Sequence, residues 1–117
     1  MGSRAGVGRA MKQGDVYWYT FRAPDKRRPV LILTRDSAIP YLTGLTIAPI
    51  TTTIRSIPTE VFLSPADGMP VDCVVNLDNL QTVRKAGLGT YITHLSPALM
   101  REVRAGLEFA LGFDTLQ

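Results

Sequence analysis

Histidine, cysteine and tryptophan each occur once in this 117-residue chain, and each scarcity removes a class of chemistry. With Cys73 alone no internal disulfide can form, which fits a reducing compartment and an expected cytoplasmic location. His94 alone cannot supply a pair of imidazoles for acid–base exchange. The Cys and His content offers no zinc pattern, and no cluster of carboxylates marks a magnesium site. Gly87-Leu88-Gly89 is too short a match for a nucleotide-binding glycine loop. No metal and no cofactor is therefore expected. No apolar run approaches the roughly 18 residues of a membrane span. Arg4, Arg9 and Lys12 are not followed by the apolar block of a secretory signal.

What charge there is falls unevenly. The formal net charge is +3, and Arg4, Arg9 and Lys12 account for all of it. Residues 22–55 carry Arg22, Lys26, Arg27, Arg28, Arg35 and Arg55 against Asp25 and Asp36, a net of +4, whereas residues 56–117 sum to −3. A basic group converging on one face would attract phosphates despite the neutral total of residues 13–117. Charge alone favours a solvated arginine-rich loop over such a face.

Residues 1–12, with Gly2, Gly6 and Gly8 among small and basic neighbours, read as a flexible arm, with Met11 as an alternative start. Residues 13–117 read as a single domain, a length that supports one core. Val16–Phe21 is rich in aromatic and β-branched residues and predicts a strand. The apolar run Pro29–Thr34 predicts a central strand buried on both faces. Leu45–Thr51 predicts another, with Pro49 implying an edge or a bulge because proline cannot donate to the ladder. Further strands are expected at Glu60–Leu63, Cys73–Leu77 and Gly89–Thr93. Many short strands with frequent turns point to a small, mainly β sandwich or barrel. A C-terminal helix follows, capped by Ser96, started by Pro97 and ended by Gly112, with Leu99, Met100, Val103, Leu107 and Leu111 on its apolar face. Gly106 inside that helix marks a close packing contact.

An enzyme with this inventory works without metal or cofactor, which leaves phosphate chemistry as the main opening, where positioning and electrostatic stabilisation carry the load. Cleavage of RNA by its own 2′-hydroxyl is such a reaction. The nucleophile already lies beside the phosphorus, and an arginine supplies two parallel N–H donors to phosphate oxygens.

A set of segments then falls into a known order. Gly14-Asp15-Val16-Tyr17-Trp18 is followed by Arg28-Pro29-Val30-Leu31-Ile32-Leu33 and Ala48-Pro49-Ile50-Thr51-Thr52, then by Pro58-Thr59-Glu60-Val61. The run from Asp72 to Val83 and Leu95-Ser96-Pro97-Ala98-Leu99 complete it. Together, over Gly14–Phe113, they resemble the MazF/PemK/Kid toxins of bacterial toxin–antitoxin modules. The resemblance implies an SH3-like, partly open β-barrel with a C-terminal α-helix, assembled as a homodimer. It implies a metal-independent, sequence-selective endoribonuclease acting on single-stranded RNA and leaving a 2′,3′-cyclic phosphate and a 5′-hydroxyl. The implied partner is a cognate antitoxin whose disordered acidic tail covers the RNA groove.

The same resemblance assigns Arg28 and Thr51 as the catalytic pair. Arg28 binds the phosphorane and serves the leaving 5′-oxygen, while Thr51 orients the phosphate, with Thr52 as the neighbouring alternative. Arg27, Thr52, Arg55, Asp78, Asn79 and Gln81 are the candidate RNA-binding residues. Trp18 is expected in the core, with Phe21 undecided between core and stacking platform. His94 is given a capping or surface role, and Cys73 that of a small buried hydrophobe. The connection Arg22–Arg27 is shorter than the loop the resemblance implies, which predicts a more open and more cationic groove. Two other classes stay open. One is a CcdB-like gyrase inhibitor, against which stand the ending Phe113-Asp114-Thr115-Leu116-Gln117 and the presence of Arg28 and Thr51. The other is a nucleic-acid-binding barrel without catalysis.

Overall fold

The computed structural model describes residues 9–22 and 26–115. Alternation organises the first strand, β1 (Asp15–Phe21): Val16 enters one hydrophobic cluster, while Tyr17, Tyr19 and Phe21 face another on the opposite side of the sheet. β2 (Lys26–Ile32) repeats this with Leu31 on the first side and Val30 and Ile32 on the second, and β3 (Gly44–Thr51) with Ala48 and Ile50 against Leu45 and Ile47. One twisted sheet thus carries a core on each face. Fully buried Leu31, Ile50, Leu63, Leu77 and Leu95 anchor the first, each worth about 2 kcal/mol relative to exposure.

β4 (Glu60–Leu63), β5 (Cys73–Asn76), β6 (Gln81–Arg84) and β7 (Leu88–His94) complete a seven-stranded antiparallel sheet of order β4-β5-β3-β2-β1-β7, with β6 beside β3. The sheet is not closed, since β4 and β7 end the order. β6 is absent from the sequence reading because Gln81-Thr82-Val83-Arg84 offers one buried apolar side chain, Val83, and no alternation long enough to register. β2 is central as expected, yet only its second half is buried, and it begins three residues earlier, at Lys26.

Pro49 requires a correction. β3 is neither an edge strand nor bulged there: it lies between β2 on one side and β6 and β5 on the other. On that second side β6 pairs with Gly44–Ile47 and β5 with Ile50–Thr51. Pro49 therefore sits where one neighbour has ended and the next begins, a place where its missing N–H leaves no gap in the ladder.

The helix α1 (Pro97–Ala110) follows the expected punctuation. The Ser96 hydroxyl accepts from the Leu99 N–H at 3.2 Å, Pro97 opens the first turn, and Gly112 leaves the helix at φ +77°. Val103 and Gly106 are buried, and Leu99, Met100, Leu107 and Ala110 pack on the first core. A Cβ at Gly106 would stand 2.5 Å from Leu77 Cδ1, the close contact its position suggested. Leu111 departs from the expected stripe: it is the C-cap and half exposed.

Of the arm expected over residues 1–12, residues 1–8 lie outside the described residues. Arg9 is docked. Its Nη2 donates to Asp15 Oδ1 at 2.7 Å, and its guanidinium lies 3.7 Å from the Tyr91 ring centroid. Asp15 is fully buried and also accepts from the Lys12 N–H at 2.9 Å, with His94 Nδ1 2.8 Å from the same Oδ1. The surface role expected for His94 is thus a paired one, joining β7 to the start of β1. Burial of Tyr17 beside Asp15 raises its phenol pKa.

Candidate active site

Alternation puts Arg28 and Thr51 on one face. β2 and β3 pair as Ile32↔Ile47, Leu31↔Ala48 and Val30↔Pro49. The pairing ends there, with Arg28 two residues before Val30 and Thr51 two residues after Pro49, so by alternation both sit on the face that Val30 and Ile47 occupy. The two residues line a shared cavity of about 320 Å³, walled also by Thr53, Arg55, Asn76 and Asn79. Both also line a second cavity of about 240 Å³ behind them. They form the ridge between the two.

The polar atoms of the first cavity are set by local hydrogen bonds. Thr51 Oγ1 accepts from the Thr53 N–H at 3.1 Å, which occupies a lone pair and leaves its O–H free to donate outward. Asn76 Oδ1 accepts from the Asp78 N–H at 3.1 Å, so its amide donors are the part available to the cavity. The loop after β3 is fastened by Glu60, whose side chain is 2% exposed. Its Oε1 accepts from the N–H groups of Arg55 and Ser56, each at 2.9 Å, and its Oε2 from Arg55 Nε at 3.2 Å. This clamp holds Ser56 at φ 57°, in the left-handed region that serine rarely adopts.

Burial opposes the charge on Glu60, but the Arg55 and Ser56 N–H groups and the Arg55 guanidinium outweigh it and hold the carboxyl below the ordinary glutamate range. A depressed folded-state pKa contributes stability that is present above the unfolded value and is lost as pH falls through the folded one. Thermal melts of the wild type should therefore lose stability as pH drops below about 4. Glu60→Gln should be less stable at neutral pH and should lack that part of the acid dependence. Equal acid dependence in both proteins would show that the clamp contributes nothing.

Of the expected RNA-binding residues, Arg55 and Asn79 line the first cavity, and Arg27 and Thr52 line the second. Asp78 does not reach either cavity. Its Oδ2 accepts from the buried Thr59 hydroxyl at 2.6 Å, a bond that holds the turn after β5 to the start of β4. Gln81 pairs with Ile47 in β6 and also lines neither. Thr53, Asn76 and Glu60 were missed. Two of them act through the backbone and the third is an ordinary strand-end asparagine, so no spacing in the sequence signals them. Arg27, Arg28 and Arg55 are the members of the basic group that gather here. Residues 23–25 of the short connection lie outside the described residues.

Trp18 is not a core residue. It is only partly buried, with the Arg27 guanidinium 4.1 Å from its ring centroid, and lines the second cavity. Phe21 is partly buried, edge-on to Tyr19 at 4.8 Å. Cys73 is buried as expected and borders the second cavity; burial, with Asp72 and Asp67 nearby, pushes its thiol up to about 11. With little thiolate at pH 8, alkylation of the native protein by iodoacetamide should be slow and should speed up with denaturant. Rapid labelling of native protein would contradict this burial. Among the described residues no three His, Cys, Asp or Glu side chains are grouped to hold a metal ion, and no helix is long and apolar enough to cross a membrane.

The family described as the PemK-like, MazF-like toxin of type II toxin–antitoxin systems matches residues 12–111. The chain belongs to this toxin family. Among MazF relatives, Endoribonuclease MazF3 of Mycobacterium tuberculosis is 46% identical over 83 residues, covering 68% of this chain and 81% of that protein. The solved M. tuberculosis toxin MazF-mt6 superposes with a TM-score of 0.77 at 37% identity, covering 84% of this chain and 96% of its own. A mycobacterial endoribonuclease solved in complex with its cognate antitoxin gives a TM-score of 0.79 at 32% identity, over 88% and 96%. The open seven-stranded sheet with its C-terminal helix is thus the MazF fold. Arg28 and Thr51, each within the matched region, stand at one end of two neighbouring strands of that fold.

Proposed function

We propose that this MazF-like toxin is an endoribonuclease that cuts single-stranded RNA at selected sequences without a metal ion. The observation that carries the reading is the Arg28–Thr51 ridge: a guanidinium and a donor hydroxyl that line the same open polar cavity at the ends of neighbouring strands. The endoribonuclease names of its relatives support RNA as the substrate class.

In this reading the scissile phosphate rests on the ridge. The 2′-oxygen attacks phosphorus, the bond to the 5′-oxygen breaks, and a 2′,3′-cyclic phosphate and a 5′-hydroxyl result. Arg28 supplies paired donors and a permanent charge to the phosphorane, and Thr51 donates to a second oxygen. Arg55 adds charge at the cavity wall. No imidazole or carboxylate lines this cavity among the described residues. Water in the open groove takes the proton shed by the 2′-hydroxyl and returns one to the 5′-oxygen, which Arg28 steadies by hydrogen bonding. The toxin acts in the cytoplasm as a homodimer with the groove along the two-fold contact. The Arg27, Arg28 and Arg55 surface attracts the acidic tail of a cognate antitoxin as it attracts phosphates.

The test is cleavage of long natural single-stranded RNAs in EDTA, with matched DNA as control. RNA alone should be cut, and Thr51→Val should lose most activity while Thr51→Ser keeps it. Intact RNA with well-folded dimeric protein would sink the reading. Binding that weakens steeply with salt would then favour the non-catalytic barrel, and inhibition of gyrase the CcdB-like alternative.

A further inference from the structure

The second cavity differs in character from the first. At about 240 Å³ it is bounded by Ile50, Met69, Pro70, Val71 and Cys73 on its apolar sides, and by Trp18 with Arg27 on another. We propose that this cavity takes one nucleobase of the RNA, next to the phosphate held on the Arg28–Thr51 ridge, with the Trp18–Arg27 pair as its stacking wall. The proposal rests on the ribonuclease reading for the kind of ligand, and on geometry for the place.

Continuity is the first argument. Arg28 and Thr51 line both cavities, so a phosphate on the ridge has this recess within reach of its adjoining nucleotide. Chemistry is the second. A phosphate pushed past the ridge would lose water against Ile50, Met69 and Cys73, whereas in front of it Arg28 and Thr51 are joined by Arg55, Thr53, Asn76 and Asn79. A base has the opposite needs, with apolar faces and a polar rim. The Arg27 guanidinium carbon already lies over the Trp18 ring, 4.1 Å from its centroid, which preorders a cationic wall. Bases splayed from single-stranded RNA stack on arginine planes and aromatic rings of this kind. Size is the third. The volume falls below that of pockets for drug-sized molecules, about 300–1,000 Å³, and suits one ring system rather than a run of nucleotides. Because a guanidinium only donates, the bound edge should carry acceptors.

The far wall is built to stay in place. Met69 is buried, and the turn before it is pinned by Ser64 and Asp67, which cap one another through the Ser64 and Ala66 N–H groups. The Thr93 hydroxyl donates to Asp67 O at 3.0 Å from β7. Val71, 52% exposed, stands at the mouth.

Trp18 is the chain's only tryptophan, so its fluorescence reads this cavity alone. Full-length protein would be titrated with four 2′-O-methyl octamers, each of one base and unable to supply the attacking hydroxyl. An abasic octamer with the same phosphates is the control. At least one base-bearing octamer should quench Trp18 saturably, and the abasic octamer should not. Val71→Gln is neutral and placed at an exposed site, so it should fold and leave phosphate attraction intact. It should weaken the quenching titration about tenfold, the scale of one stacked base. Equal quenching by the abasic octamer, or wild-type titration in Val71→Gln, would overturn the proposal. RNA cleavage by a wild type whose Trp18 ignores every octamer would remove the base site and leave the ribonuclease reading standing. Base-dependent quenching by a protein that leaves RNA intact would do the reverse.

Discussion

Arg28→Ala should slow RNA cleavage by about 10²–10³-fold, the cost of removing one preorganised donor from the charge that develops in a transition state. The loss should appear in single-turnover rates at saturating RNA more than in binding, because Arg55 and Arg27 remain to attract the substrate. Arg28→Lys should recover little, since an ammonium cannot present two parallel donors to phosphate oxygens. Stability should hardly change. Arg28 is half-buried at the open end of β2, and substitutions at such sites usually fall within about 0.5 kcal/mol. Circular-dichroism melts alongside the cleavage rates would check both halves. If Arg28→Ala cleaves within a few-fold of wild type, the ridge is not where the phosphorane forms.

Gly68→Ala should have the largest effect on stability among single-methyl changes. Gly68 sits at φ +96°, where an L side chain is strained, and a Cβ there would stand 2.8 Å from Thr93 Cβ and closer still to Thr93 Oγ1. Thr93 cannot turn away freely, because its hydroxyl is bonded to the carbonyl of Asp67. Strain of ~1–2 kcal/mol adds to overpacking of ~1–3 kcal/mol, so a loss of about 3 kcal/mol is expected in chemical denaturation. Gly112→Ala is the control: it has φ +77° but nothing within 4 Å of its Cβ, so it should show the strain alone. Equal losses at the two positions would mean that the contact with Thr93 yields without cost. Gly68 directly precedes Met69, so the variant should also disturb the Met69–Val71 wall and weaken base-dependent quenching of Trp18.

Residues whose pattern and burial agree were legible in the sequence. β1, β3, β4, β5, β7 and the helix announce themselves by alternation, β-branching or capping, and their bounds shift by a residue or two. Pro49 was misplaced because its rule concerns a missing hydrogen bond, and only topology shows that β3 changes neighbour at that point. Residue type puts Trp18 in the core, whereas it stands opposite Pro29 with Arg27 over its ring and is only partly buried. Resemblance names Arg28 and Thr51, and alternation at the ends of two neighbouring strands is why both reach one cavity. Thr53, Asn76 and the Glu60 clamp were not legible, because their local hydrogen bonds depend on loop and strand-end conformation that no spacing in the sequence signals.

β1 lies between β2 and β7, and Asp15 meets His94 across 79 residues. During synthesis the outer edge of β1 therefore has no partner until nearly the whole chain has left the ribosome. β3, likewise, must wait for β5 and β6. Pairings of such long range are slow to form, and an unpaired edge is open to other chains meanwhile. In a chain of this design the pairing of β7 is what covers the edge of β1 and brings His94 to the buried carboxylate of Asp15.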